Sequence, residues 1–162
     1  MTRHLTPLQL AHQNSPANPA AGTTSVFART GDRLYYRTAT GVERQVEPGI
    51  LFVFSRAGTL AVSVGTFRLY NDTGETLTLK AVRTSVGVAP AGASVLVDIN
   101  VDGATVFSTQ SNRPAIAAGN FTSGAVRTMN TISIADGSYF TVDVDAIGTT
   151  VAGSDLTVQI LC

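Results

Sequence analysis

"VLVDINVDGATVF", residues 95–107, can be read in two ways, and the choice decides the fold. Asp98, Asn100 and Asp102 at alternate positions, followed by Gly103, match the opening half of an EF-hand calcium loop. The same letters form two alternating apolar runs joined by Asp-Gly, a strong hairpin signal because a type I′ turn needs positive φ at both central residues. With Asp98 counted as position one, an EF-hand needs a bidentate Glu at position twelve, where Thr109 stands. Its flanks should also be helical, whereas Val95, Val97, Ile99, Val101 and Val106 are β-branched and alternate with polar residues. A hairpin is therefore expected, with Asp98, Asn100 and Asp102 on one solvated face. A calcium ion on that face remains the alternative.

Outward from this hairpin the same rhythm continues through 50–54, 60–64, 67–70, 76–84, 104–108, 126–134, 139–145 and 156–161. Phe140, Val142 and Val144 alternate with Thr141, Asp143 and Asp145, which is the period of a half-buried strand. Turn residues separate the runs at Asn71-Asp72-Thr73-Gly74, Pro90-Ala91-Gly92, Asp136-Gly137 and Gly153. Many short strands with no helical interval predict an all-β chain, an antiparallel β-sandwich of jelly-roll type over residues 50–162.

Two smaller segments precede it. Residues 1–24 carry Pro7, Pro16 and Pro19 among Ala, Asn and Gln, with a brief helical chance at Thr6-Pro7, and are expected to form an extended anchoring arm held by a neighbour. Residues 25–49 alternate short β-prone runs with Gly31-Asp32 and Thr40-Gly41 turns, which predicts a small three-stranded β-meander. A sheet that small buries too little to stand alone, so its apolar side chains need a partner surface. Leu5, Leu8 and Leu10 of the arm, with Phe27, Tyr35 and Tyr36 of the meander, are the candidate partner-binding residues.

Composition narrows the function. Charged residues are 14% of the chain against a usual share of about 25%, while hydrophobic residues are 44%. Such a surface suits burial against copies of itself or other subunits. Net charge is zero, with five Arg against three acids in residues 1–49 and six cations against eight acids beyond. Without a cluster of cations, nucleic-acid binding is not expected. The start, "MTRHLTPLQL", lacks an apolar run of signal-peptide length, and no stretch approaches 18 apolar residues, so neither secretion nor a membrane span is expected. Cys162 is the lone cysteine, which excludes an intrachain disulfide.

Candidate chemistry is thin. Asp143 and Asp145 share a strand face at roughly 7 Å, close to glycosidase spacing, but such a pair needs one apolar environment and the chain has no Trp platform. A solvated strand face is the expectation. His4 and His12 both lie in the arm, where no rigid catalytic site is expected, and a metal site shared among several chains stays as an alternative. Arg56, Arg68, Arg83, Arg113 and Arg127 are scattered among Thr and Ser, where Arg lies over apolar surface or meets a carboxylate. Residues 108–124 form the longest stretch without strand character, and with the loop at 89–93 they are candidates for binding. No catalytic residue, cofactor or metal is assigned.

The phrases "RLYNDTG", "AVRTSVG" with its Pro-Ala-Gly bend, "VDINVDGATVF" and "NRPAIAAG", all within residues 57–119, resemble β-rich modules of virion structural proteins from tailed phages of actinobacteria. "DRLYYRTATGVERQV" is similar to short motifs that precede such modules in phage fibre and minor tail proteins. The resemblance implies a non-enzymatic virion protein, a homotrimer held through residues 1–24 to a phage major capsid or tail protein. The chain lacks a long shaft between arm and sandwich, which favours a capsid decoration or head fibre. A minor tail or fibre protein recognising a host surface glycan is the alternative.

Overall fold

A computed structural model describes residues 16–29, 33–46 and 49–162. It divides into two compact units, residues 1–48 and residues 49–162. The smaller unit holds three antiparallel strands in the order β1-β2-β3: β1 (Thr24–Arg29), β2 (Arg33–Thr38) and β3 (Glu43–Gln45). The Thr40-Gly41 turn behaves as its letters suggest: Gly41 has φ +83 and donates its N–H to the Thr38 carbonyl at 2.9 Å. Glu43 accepts from Arg37 at 2.8 Å and also pairs with Arg29. Asn18 Oδ1 accepts from Arg37 Nε at 2.7 Å, which ties the end of the arm to the meander.

The larger unit is a jelly roll. Its strands are β4 (Leu51–Thr59), β5 (Leu69–Tyr70), β6 (Leu77–Thr78), β7 (Ala81–Ser85), β8 (Val95–Val101), β9 (Ala104–Thr105), β10 (Ala115–Ile116), β11 (Thr122–Val126), β12 (Ser133–Ile134), β13 (Tyr139–Ala146) and β14 (Ser154–Leu161). One sheet has the order β4-β14-β7-β11 and the other β5-β13-β8-β10, all antiparallel. The first strand pairs with the last and the second with the next to last, and every connection except β8 to β10 crosses between sheets. That is the winding of an eight-stranded jelly roll. β9 forms a hairpin with β8, and β6 pairs with β12 across one end.

Alternation decides which side chains enter the core. Val95, Val97 and Ile99 from β8, Phe140, Val142 and Val144 from β13, and Leu156, Val158 and Ile160 from β14 are all buried in one cluster between the sheets. Asp102 and Gly103 have φ of +51 and +84, so the Asp-Gly turn takes the conformation its letters favour. Cys162 closes the cluster, and burial pushes its thiol up to about 11.

Several expectations fail for reasons that lie outside local pattern. The single run expected over 76–84 is two strands in different sheets. Leu79, Ala81 and Val82 are all buried, so the phase of alternation slips where the chain changes sheet beside Lys80. Residues 60–64 form no strand of their own; they touch β13 through one bridge, Ser63 to Val144, while β4 runs on to Thr59. The run expected over 126–134 ends at Val126 and resumes for two residues at β12. Conversely, 108–124 holds a short 3₁₀ turn (Gln110–Asn112), β10 and the start of β11, because a two-residue strand is too short to display alternation.

Candidate functional site

The outer face of the β5-β13-β8 sheet gathers polar side chains that are far apart in sequence. Tyr139, Thr141 and Asp143 occupy the outward phase of β13, opposite the buried Phe140, Val142 and Val144. Register then places Tyr70 across from Tyr139, Asn100 across from Thr141, and Asp98 across from Asp143. A recess of about 340 Å³ opens on this face, lined by Thr66, Arg68, Asn100, Tyr139, Thr141 and Asp143.

Each charged group in the recess is positioned by a neighbour. Asp143 accepts from the Gly65 N–H at 2.6 Å through Oδ1 and from the Asn100 amide at 2.9 Å through Oδ2. Arg68 lies over the Tyr139 ring at 4.5 Å, and Tyr139 in turn tilts against Tyr70 with centroids 5.6 Å apart. A hydrogen bond from Arg68 to Tyr70, then the proximity of Tyr139, strengthens its hold on its proton. Gly65 is required here, since a Cβ at that position would sit 2.1 Å from the Val142 carbonyl oxygen.

On the other side of the same 63–67 segment, a cleft of about 350 Å³ runs between β4 and β13 down to Val142 and Val144. Phe54 and Phe67 meet edge to face across it at 6.2 Å, and Arg56 donates to Ser63 Oγ at 2.7 Å. Val62, Val64 and Phe67 are 62%, 79% and 73% exposed, an apolar strip on the open side of the sandwich.

Asp98, Asn100 and Asp102 do not share one solvated face as expected. Asp98 is buried, and its Oδ1 accepts from Thr105 Oγ1 and from the Ile99 N–H, both at 2.7 Å. Burial raises its carboxyl above the ordinary range despite these bonds. Among the described residues no group of three or more His, Cys, Asp or Glu is placed to hold a metal ion. The Asp143 and Asp145 pair is also divided. A register shift follows Val144, and Asp145 pairs with Arg113 while Asp143 keeps Gly65 and Asn100.

Leu5, Leu8 and Leu10, with His4 and His12, lie outside the described residues. Phe27 is buried and stacks on Tyr35, its cross-strand partner, at 5.9 Å, with Arg29 over both rings; Tyr36 sits on the opposite phase of β2, across from Val26. The two loops singled out in sequence do meet. Gly119 donates to the Pro90 carbonyl at 2.8 Å, Val86 to Phe121 at 3.0 Å and Ala91 to Val151 at 2.9 Å, which leaves Val88, Phe121 and Val151 exposed at that end. Sequence reading did not assign Gly65, Thr66, Arg68 or Tyr139 to a site. The available signal was the phase of Tyr139, Thr141 and Asp143, opposite to that of three core residues. No protein-family model, curated protein or solved structure matches this chain.

Proposed function

We propose that the chain is a non-enzymatic structural subunit of a tailed-phage virion, a capsid decoration or head-fibre protein that self-associates as a homotrimer and is anchored through residues 1–24. The observation that carries this reading is the strip formed by Val62, Val64 and Phe67, whose exposure of 62–79% is hard to reconcile with a solitary soluble unit. Assembly would cover it. Support also comes from the jelly-roll winding, an architecture used by viral capsid and lectin domains, and from the sequence resemblance to virion modules. The low charge of the chain, 14%, fits a surface meant for burial.

Placement in the particle is tested by mass spectrometry of purified virions with immunogold labelling. Stoichiometric protein on the head supports decoration, label on the tail moves it there, and absence from particles removes the reading. Cross-linking from residues 1–24 then identifies whether a major capsid or tail protein is the anchor.

Recognition of a host surface glycan is the second reading, favoured by the convergence of the 86–91, 119–121 and 151 backbones at one end of the sandwich. Particles lacking the protein separate the two: lost adsorption to host cells supports recognition, and intact adsorption with weakened heads supports decoration.

A further inference from the structure

The recess on the outer face of the β5-β13-β8 sheet combines a fixed acceptor with a fixed donor. Asp143 is gripped from two sides, through Oδ1 by Gly65 and through Oδ2 by Asn100. A carboxylate offers about four lone-pair directions, so roughly two remain for donors from a ligand. Arg68 makes no ion pair among the described residues and is held by stacking on Tyr139 at 4.5 Å and by its hydrogen bond to Tyr70, which leaves the rest of its guanidinium N–H groups for an acceptor. Thr66 and Thr141 add hydroxyls that both give and take hydrogen bonds.

Charge decides between ligand classes. One cation and one anion line the recess, so a charged ligand gains at one group what it loses at the other. A hydroxyl uses both, donating to Asp143 and accepting from Arg68. Val64 and Tyr139 supply apolar surface for the C–H edges of a ring. The volume of about 340 Å³ is near the lower end of small-molecule sites, roughly 300–1,000 Å³, which suits one ring rather than an extended chain. We propose that this recess binds a neutral saccharide through adjacent hydroxyls held between Asp143 and Arg68. The site is distinct from the loop cluster at the other end of β13, and of the strip Val62, Val64 and Phe67 it takes in only Val64.

The test is an NMR titration of the full chain with D-galactose, D-mannose and D-arabinose, with glucuronate and glucosamine as charged comparators. At least one neutral sugar should shift the Gly65 and Thr141 amides and the Asn100 side-chain amide, with a Kd in the millimolar range. Asp143→Asn keeps an acceptor for Gly65 but loses the charge, and should weaken binding about tenfold or more. Arg68→Ala changes an exposed side chain; it should weaken binding severalfold and leave the denaturation midpoint unchanged, which keeps the test decisive if Asp143→Asn folds poorly. The proposal is overturned if none of the three neutral sugars shifts these amides at about 50 mM, well above a low-millimolar Kd. It is equally overturned if a charged comparator binds more tightly, or if Arg68→Ala retains full affinity.

Discussion

Replacing Asn71 should unfasten one end of the jelly roll. The residue is fully buried, and its Nδ2 lies 2.9 Å from the Glu75 carbonyl, 3.1 Å from Ile134 and 3.0 Å from Ala135. Its Oδ1 accepts from Thr73 Oγ1 at 2.7 Å. The backbone bonds to Ser138 and Gly137 survive any substitution with a similar backbone, but the side-chain bonds do not. Asn71→Ala removes the equivalent of three hydrogen bonds, each contributing about 1 kcal/mol net, and leaves the Ile134 carbonyl without its buried donor. Water can reach the exposed Glu75 and recover part of the loss, so the expected cost is about 2–4 kcal/mol. For a unit spanning residues 49–162 this lowers Tm by roughly 10–15 °C. Guanidinium denaturation followed by circular dichroism should show a lower midpoint with an unchanged slope. Asn71→Asp keeps size and the Thr73 acceptor but sets a carboxylate against three carbonyls, so at pH 7 it should be at least as damaging. A loss under about 0.5 kcal/mol for Asn71→Ala, the usual scatter of surface substitutions, would refute this account of the end.

Three further outcomes follow from single buried groups. Thr84 is fully buried and its Oγ1 has no hydrogen-bond partner, so the near-isosteric Thr84→Val should raise stability by about 1 kcal/mol, read as a higher denaturation midpoint. Asp98→Asn keeps an acceptor for Thr105 and Ile99 while removing a buried charge opposite Asp143. Because burial raises the folded carboxyl above its unfolded value of 3.8, wild-type stability falls as pH rises through the window between the two values. The advantage of Asp98→Asn should therefore be absent below that window, grow across it and stay constant above it, and a flat difference across pH would contradict the assignment. Cys162 is 3% exposed with its thiol pushed up to about 11, so a disulfide exchange reagent at pH 8 should label it only on unfolding, and fast labelling of native protein would contradict its burial.

What was legible in the sequence was whatever a single strand or turn carries. Asp102-Gly103 announced its hairpin, and the alternation of β13 and β14 announced their core faces. What was not legible depends on which strands become neighbours. β10 is two residues long and is defined by its pairing with Leu96 and Val95, and the chain around Lys80 changes sheets without a glycine or proline to mark it. The candidate site has the same origin. Asn100 read as one residue of a solvated hairpin face and Asp143 as one of a solvated strand face until register placed them beside each other, 43 residues apart. Arg68 gained a role only through stacking on Tyr139, which one-dimensional pattern cannot supply.

Assembly is the central claim, and the mass of the purified chain in solution tests it most directly. Size-exclusion chromatography with light scattering should give a particle of three chains, three times 16.8 kDa. A stable species of 16.8 kDa at micromolar concentration, with Val62, Val64 and Phe67 left in water, would contradict it.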